Sequence, residues 1–229
     1  MLVVSAHPDD LDFGVAGAVA TWTDAGIAVT YCIVTDGQAG GFDRSVPREQ
    51  MVDVRRKEQR VAAAHVGVDD VRFLGYVDGE LEATQQLVRD VSRLVRELRP
   101  QRMVIPSTER DYERIGRSHP DHLAAGKAAL DAIFPAARNP FAHPELLEEG
   151  LEPWTVADTW LMGHPTSNHT VDVTAAYERK VAAVMAHESQ HPDPEGLEAG
   201  IREAFSANAR AAGLPEGSQA EVFFVVSTG

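Results

Sequence analysis

Apolar and polar residues alternate along this chain in two patterns, one typical of buried strands and one typical of helices. Apolar, β-branched runs at residues 2–6 and 27–35 predict two strands that are covered on both faces. Between them, an alanine-rich stretch at 12–25 is followed by Gly26 and predicts a helix, because glycine is favoured just past a helix C-terminus. The chain therefore opens with a predicted βαβ unit.

The same alternation continues to the end of the chain. Helical patterns cover 48–66, 84–98, 120–134, 175–186 and 195–212, and strand patterns cover 71–74, 103–105, 156–162, 171–173 and 221–226. Only 135–153, which contains several prolines, lacks a clear period and is expected to be irregular. Regular alternation predicts an α/β protein with a mostly parallel sheet wrapped by helices.

Composition narrows the class of protein. With 229 residues, 44% of them hydrophobic, the chain can bury one large core, so we expect a single domain over 1–229. The 21 Lys and Arg against 35 Asp and Glu give a net charge of -14, which disfavours nucleic acid or an anionic membrane as partner and favours small molecules.

Cellular location is predicted from cysteine and hydropathy. Cys32 is the only cysteine, which excludes an intrachain disulfide framework and suits a reducing compartment, so we expect a cytoplasmic protein. No apolar run approaches the roughly 20 residues of a membrane span. The sequence leaves the oligomeric state open, a homo-oligomer included.

The strongest chemical signal is His7-Pro8-Asp9-Asp10, directly after the first predicted strand. Ligands of α/β proteins usually bind at such strand ends, and histidine and aspartate are suitable zinc ligands. A catalytic zinc commonly takes three protein ligands and leaves one position for water. If Asp10 binds the metal, Asp9 is left to remove a proton from water.

A second motif, His119-Pro120-Asp121-His122, supplies more imidazoles. Pro120 is expected to open a helix, and residues three apart share a helix face, so His119 and His122 point at one centre. His7, Asp10 and His122 then form a complete ligand set, and His119 is expected to stabilise an oxyanion or protonate a leaving amine.

Each motif by itself also has a simpler interpretation. His7-Pro8-Asp9-Asp10 is compatible with a polar turn in which an aspartate caps a helix. The remaining histidines, which lack such neighbours, are interpreted as surface or hydrogen-bonded core residues; they are His65, His143, His164, His169, His187 and His191. Two motifs that together supply one catalytic set favour the metal site.

These motifs resemble those of the LmbE-like, or PIG-L, family of zinc-dependent N-deacetylases. The resemblance also covers Gly14 and Gly17, Thr35-Asp36-Gly37, Arg55-Arg56-Lys57-Glu58, Lys180, His187-Glu188-Ser189-Gln190 and Ala220-Glu221-Val222-Phe223, in the family's order. It implies a Rossmann-like, three-layer αβα fold and removal of the N-acetyl group from a glucosamine-type sugar. Known members act on thiol-cofactor precursors, phosphatidylinositol glycans, chitooligosaccharides and antibiotic intermediates.

Carried over to this chain, the resemblance implies Zn²⁺, or another divalent metal such as Fe²⁺, on His7, Asp10 and His122. It implies Asp9 as general base, His119 as oxyanion stabiliser or acid, and Asp121 as the residue that orients His119. It further implies that Arg55 and Asp78 hold sugar hydroxyls or the acyl end; a solvated helix charge and a turn aspartate are the alternatives.

This chain departs from the family pattern at two places. Arg117 stands where some members have a tyrosine, with Tyr112 as a substitute candidate, and Leu11 replaces an acidic residue, with Asp12 one place later. Polar loops at 40–43 and 110–117 follow predicted strand ends and are candidates for the substrate rim.

The predicted function is therefore metal-dependent hydrolysis of an N-acetylated sugar. Three alternatives stay open. The enzyme could cleave a larger acyl group or a conjugate amide, or the chain could be a non-catalytic zinc-binding regulatory protein of the same fold. Phosphoester hydrolysis at a two-metal site ranks last, because it needs more ligands than the motifs provide.

Overall fold

A central seven-stranded sheet organises the computed structural model, which describes all 229 residues. Its strands are β1 (Leu2–Ser5), β2 (Thr30–Thr35), β3 (Asp70–Tyr76), β4 (Arg102–Pro106), β5 (Asp158–Met162), β6 (His169–Asp172) and β7 (Ala220–Ser227), in the order β3-β2-β1-β4-β5-β7-β6. The β3-β2-β1-β4-β5 part is parallel, and β7 runs antiparallel to both β5 and β6. The predicted mostly parallel sheet is confirmed.

Eight helices surround the sheet. They are α1 (Asp10–Gly14), α2 (Ala16–Asp24), α3 (Arg48–His65), α4 (Gln85–Leu98), α5 (Pro120–Asp131), α6 (Pro144–Glu148), α7 (Tyr177–Met185) and α8 (Pro194–Ala211). None of them is both long and apolar enough to cross a membrane.

Two apolar clusters lie on opposite faces of the sheet. In β1, Leu2 and Val4 pack with α4 and α5, whereas Val3 packs with α2, α3 and α7. Successive strand residues point to opposite faces, so a strand covered on both sides is apolar at every position, as the run at 2–6 is. The molecule is the expected three-layer αβα sandwich.

The helix expected at 12–25 is divided in two at Val15, and tertiary contacts explain the division. The Lys180 ammonium takes the carbonyls of Asp12 and Phe13, at 2.9 and 2.6 Å, which would otherwise accept the next helical hydrogen bonds. The Glu221 carboxylate accepts the freed N–H of Gly17 at 2.9 Å and that of Ala18 at 2.8 Å. The N-terminus of α2 is thus capped by a residue of β7.

Three other expectations about elements need correction. The helix expected at 120–134 ends at Asp131, and Phe134 in the following turn has non-helical backbone angles. The stretch expected to be irregular contains α6, which Pro144 opens. The second predicted strand is shorter, because it begins at Thr30.

Candidate metal centre and catalytic site

Strand topology brings the two sequence motifs together. β1 pairs with β2 on one side and β4 on the other, so the direction of winding reverses between β1 and β4. Ligands of open α/β sheets bind outside the carboxyl ends of the strands at such a reversal. His7 follows β1, and α5 begins at Pro120 after β4, which places both motifs at this point.

His7, Asp10 and His122 offer one ligand atom each, and these atoms all lie within 4.8 Å of one another. The Nε2 atom of His122 is 3.0 Å from one carboxylate oxygen of Asp10, and Nδ1 of His7 is 3.4 Å from the other. The structure thus brings together the three residues that the sequence predicts as ligands.

The other nitrogen of each ring is held by the protein. Nε2 of His7 lies 3.0 Å from Asp121 Oδ2 and 3.2 Å from Asp78 Oδ1, and Nδ1 of His122 lies 3.2 Å from the carbonyl oxygen of Arg117. Metal-binding histidines usually donate their second N–H to a carboxylate or carbonyl in this way. Two oriented imidazoles and one carboxylate fit a divalent metal of the zinc type.

A second group of potential ligands consists of His7, His119 and Asp121. In this group one potential ligand atom of each of two residues is already engaged, because Asp121 Oδ2 accepts the N–H of Gly79 at 2.8 Å and His119 Nδ1 accepts the N–H of Asp121 at 3.2 Å. The set with Asp10 and His122 is therefore the better metal centre.

Charges in the centre favour ligand protonation when no metal is bound. Burial by itself would lower the pKa of His7, but hydrogen bonds and charges of Asp10 and Asp78 outweigh it and raise the pKa to about 11. Burial by itself would also lower the pKa of His122, but the charge and hydrogen bond of Asp10 outweigh it, so this pKa is raised. The pKa of Asp10 is well below its usual value, because the two imidazoles outweigh the effect of burial. A metal must displace these protons to bind.

Asp9 has an unusual backbone conformation and a fixed side chain. Its φ of 91° lies in the left-handed region, its N–H donates to Gln59 Oε1 at 2.8 Å, and its Oδ2 accepts from Arg55 Nη2 at 3.1 Å. Burial raises the pKa of Asp9 to about 6, against the opposing charge of Arg55. A carboxylate in this range is ionised at pH 7 and still accepts a proton readily.

His119 caps α5 and is partly open to solvent, with 44% of its side chain exposed. Its Nδ1 accepts the N–H of Asp121, so the neutral ring carries its hydrogen on Nε2. The Asp121 carboxylate contacts His7 at 3.0 Å and is 3.9 Å from His119. Asp121 thus orients His119 with its backbone, and its carboxylate holds a metal ligand.

Arg55 and Asp78 each contact a residue of the predicted site. Arg55 is only 3% exposed, and its guanidinium contacts Asp9 and the carbonyl of Pro8. Asp78 contacts His7 with one oxygen, and its other oxygen accepts the N–H of Ala39 at 3.0 Å. Sugar binding by these two residues stays a prediction, whereas their contacts with Asp9 and His7 are visible.

Three buried residues, Gln59, Asp12 and His187, support Asp9, although the sequence motifs did not place them beside it. Gln59, which accepts the Asp9 N–H, donates to Asp12 Oδ2 at 2.8 Å, and His187 Nε2 is 2.8 Å from the same oxygen. His187, interpreted as a surface or core histidine, is a fully buried one. Asp12 and His187 lie in or next to motifs that resemble those of the family, which indicated a role for them, but no sequence motif indicated a role for Gln59.

The fold and the site together define a Rossmann-like α/β protein with a candidate metal centre of the hydrolase type. Residues 2–133 match the PIG-L family, described as GlcNAc-PI de-N-acetylase. The chain belongs to this family.

Individual relatives agree with this membership. The chain is 31% identical over 193 residues to the diacetylchitobiose deacetylase of Thermococcus kodakarensis, which covers 84% of this chain and 70% of that one. It is 30% identical over 197 residues to a probable N-acetyl-alpha-D-glucosaminyl L-malate deacetylase 2 of Bacillus cereus, with 83% of each chain covered. The solved structure of the Pyrococcus horikoshii N,N'-diacetylchitobiose deacetylase superposes with a TM-score of 0.90 and 29% identity, covering 98% of this chain and 82% of that one.

Proposed function

We propose that this protein is a zinc-dependent N-deacetylase that hydrolyses the acetamide of a glucosamine-type sugar. The observation that carries the proposal is the arrangement of His7, Asp10 and His122 around one point, with the Asp9 carboxylate held beside them. The relatives that are named as deacetylases of N-acetylated sugars support the substrate class. A zinc ion bound there supplies Lewis acidity, which polarises an amide carbonyl and lowers the pKa of water to about 7.

The protein's own groups supply the remaining chemistry. Arg55 holds one Asp9 oxygen at 3.1 Å, and no protein group donates a hydrogen bond to the other, which is the atom that takes a proton from the attacking water. His119 presents the N–H of Nε2 to the oxyanion of the tetrahedral intermediate. The leaving amine then receives its proton from Asp9 or His119, which both lie beside the centre.

Amine release from a panel of N-acetylglucosamine conjugates tests the proposal. The panel contains diacetylchitobiose and the malate and myo-inositol glycosides of N-acetylglucosamine. With zinc content measured in parallel, we expect Asp9→Asn to lower kcat by about 10²- to 10⁴-fold and His119→Ala by about 10²- to 10³-fold, with the metal retained. His7→Ala is expected to lose the metal.

Matched changes at exposed positions serve as controls. Asp53→Asn and His169→Ala alter the same residue types on the surface and are expected to leave kcat within about twofold. One bound zinc together with no hydrolysis of any N-acylated sugar would instead identify a metal-binding protein without this activity. Unchanged rates in both site variants would overturn the roles given to Asp9 and His119.

A further inference from the structure

A groove of about 580 Å³ begins at the candidate metal centre and continues away from it along α8. Asp10 and His122 line the end next to the centre, and α8 residues from Gly196 to Asn208 line its length. The twelve steps from Gly196 to Asn208, at a rise of 1.5 Å each, correspond to about 18 Å. The methyl group of an acetamide is about as large as a water molecule, which occupies about 30 Å³ in the liquid. Acetate alone would leave nearly all of this groove unfilled.

The walls of the groove are apolar where they leave the metal centre. None of the α8 residues that line it is charged, and the charged lining residues Asp10, the first residue of α1, and Arg117, just before α5, lie at the end next to the centre. The large apolar side chains of the wall are Phe13, Met162, Leu197, Ile201, Phe205 and Phe223. Most polar side chains of the lining, namely Ser107, His164, Thr166 and Ser167, belong to the loops after β4 and β5, whereas the α8 side is apolar apart from Asn208 and fits an aliphatic chain.

Gly200 provides an independent sign that the space is kept open. It lies inside α8 with no positive φ, and a Cβ added there would meet no atom within 4 Å. Neither packing nor backbone conformation requires glycine at this position, although glycine costs a helix interior roughly 1 kcal/mol relative to alanine. A larger side chain at this position would project into the groove.

The position of the groove relative to the catalytic groups indicates which part of a substrate would enter it. Neither Asp9 nor His119 lines the groove. These are the groups that protonate the leaving amine in the proposed reaction, so the amine and its sugar lie on their side of the scissile bond. The acyl chain lies on the opposite side of the scissile bond, towards Asp10 and His122.

We propose that this groove binds the N-acyl chain of the substrate, so that the protein hydrolyses sugar amides of medium-length fatty acids as well as acetamides, and with a higher kcat/KM. The inference rests on the proposed function, since it uses the assigned positions of the metal, Asp9 and His119. It adds medium-length fatty acids to acetate as products, while the bond that breaks remains the amide C–N bond: the acyl carbon takes the hydroxyl of water and the sugar amine takes up the proton.

The test is a chain-length series on one sugar. Zinc-loaded protein is assayed for glucosamine release from N-acetyl-, N-butyryl-, N-hexanoyl- and N-octanoylglucosamine. Full burial of one methylene corresponds to about a fourfold gain, and because the groove is open on one side we expect kcat/KM to rise about threefold for every two methylenes. A kcat/KM that is level or falls with chain length would overturn the proposal.

Two variants of α8 locate the effect. Gly200→Leu fills the groove and is expected to lower the octanoyl-to-acetyl ratio of kcat/KM at least tenfold. Ala199→Leu places the same side chain at the neighbouring exposed position, which does not line the groove, and is expected to leave the ratio unchanged. Equal ratios in Gly200→Leu and the wild type would contradict the assignment.

Two further arms separate the proposal from its alternatives. If octyl N-acetylglucosaminide is the better substrate and Gly200→Leu removes that advantage, the groove holds the aglycone and the proposal fails. Calorimetric binding of N-octanoyl- and N-acetylglucosamine to zinc-loaded Asp9→Asn protein does not depend on turnover. If binding tightens with chain length, Gly200→Leu removes this dependence and the wild type hydrolyses none of these amides, then the groove still binds the acyl chain but the deacetylase function is rejected. Binding without chain dependence would reject the groove.

Discussion

Asp9 and Asp10 are neighbours in the chain, yet their surroundings give them opposite properties. Asp10 lies between two imidazoles, which keep its pKa well below the usual value despite burial. The Asp9 carboxylate contacts Arg55 instead; burial raises its pKa to about 6, and the charge of Arg55 opposes the shift. One carboxylate is thereby suited to a metal and the other to a proton.

Cys32 gives a pH-dependent prediction at the scale of a single residue. It is fully buried in β2, and burial raises the pKa of its thiol to about 12 from an ordinary value of 9.0. Above pH 9 the unfolded chain releases this proton while the folded protein keeps it, so the contribution of Cys32 to stability falls as pH rises towards 12.

The measurement is urea unfolding of wild type and Cys32→Ala between pH 9 and pH 10.5. The free energy of unfolding of the wild type is expected to fall more steeply, by about 1.4 kcal/mol per pH unit, than that of the variant. Parallel slopes would show that the buried thiol does not contribute.

Individual site residues were predictable where their types carry the chemistry. His7, Asp10 and His122 came from ligand chemistry and motif position, and the structure brings them together. The surroundings of Asp78 were not predictable in this way. Its contact with His7 depends on how the turn after β3 packs across the sheet, and no local pattern encodes that.

Among the elements, α3 controls the geometry of the turn after β1. Arg55 and Gln59 are four residues apart on one face of this helix, and both contact Asp9, one at its carboxylate and one at its N–H. The left-handed φ of Asp9 is sparsely populated for a residue with a side chain, so these contacts are needed to hold it.

Gln59→Leu is expected to lower kcat by about 10- to 100-fold, with KM within about twofold and zinc content unchanged, because Asp9 loses the partner of its N–H. Gln59→Glu keeps an acceptor for Asp9 but faces the Asp12 carboxylate, so an intermediate kcat is expected. Gln86→Leu, at an exposed position of α4, is the control. Steady-state kinetics with metal analysis checks all three; equal kcat in Gln59→Leu and the control would contradict the positioning role.

Helices and strands were predictable wherever the apolar period decided them. The stretch 12–25 shows where this fails, because its helical pattern is interrupted by Lys180 and Glu221 from the other end of the chain. A buried ion pair that competes with helical hydrogen bonds leaves no trace in local periodicity.

On the scale of the whole molecule, the metal centre joins distant parts of the chain. His7 and Asp10 follow β1, whereas His122 belongs to α5, on the other side of β2, β3 and β4 in sequence. A ligand that binds only the folded state stabilises that state, by about 2.7 kcal/mol at a concentration of 100 times Kd.

Zinc at 100 times its Kd is therefore expected to raise the Tm of the wild type by about 5–10 °C, which is the shift that this stabilisation produces in a domain of this size. In His122→Ala the metal has lost a ligand, and the rise is expected to be below about 2 °C. Differential scanning calorimetry with and without zinc, followed by reversal with a chelator, checks this. An equal rise in the variant would place the stabilising metal elsewhere.

The contact between Glu221 and the N-terminus of α2 has a consequence for synthesis of the protein on the ribosome. Gly17 and its partner Glu221 are 204 residues apart, so α2 receives its cap only after Glu221 has been translated. Until then the emerging N-terminal half has an uncapped helix directly behind the turn that carries Asp9 and Asp10. The site therefore acquires its final form only after β7 has been synthesised, and a truncation before β7 is expected to disturb it even though every ligand and catalytic residue is still encoded.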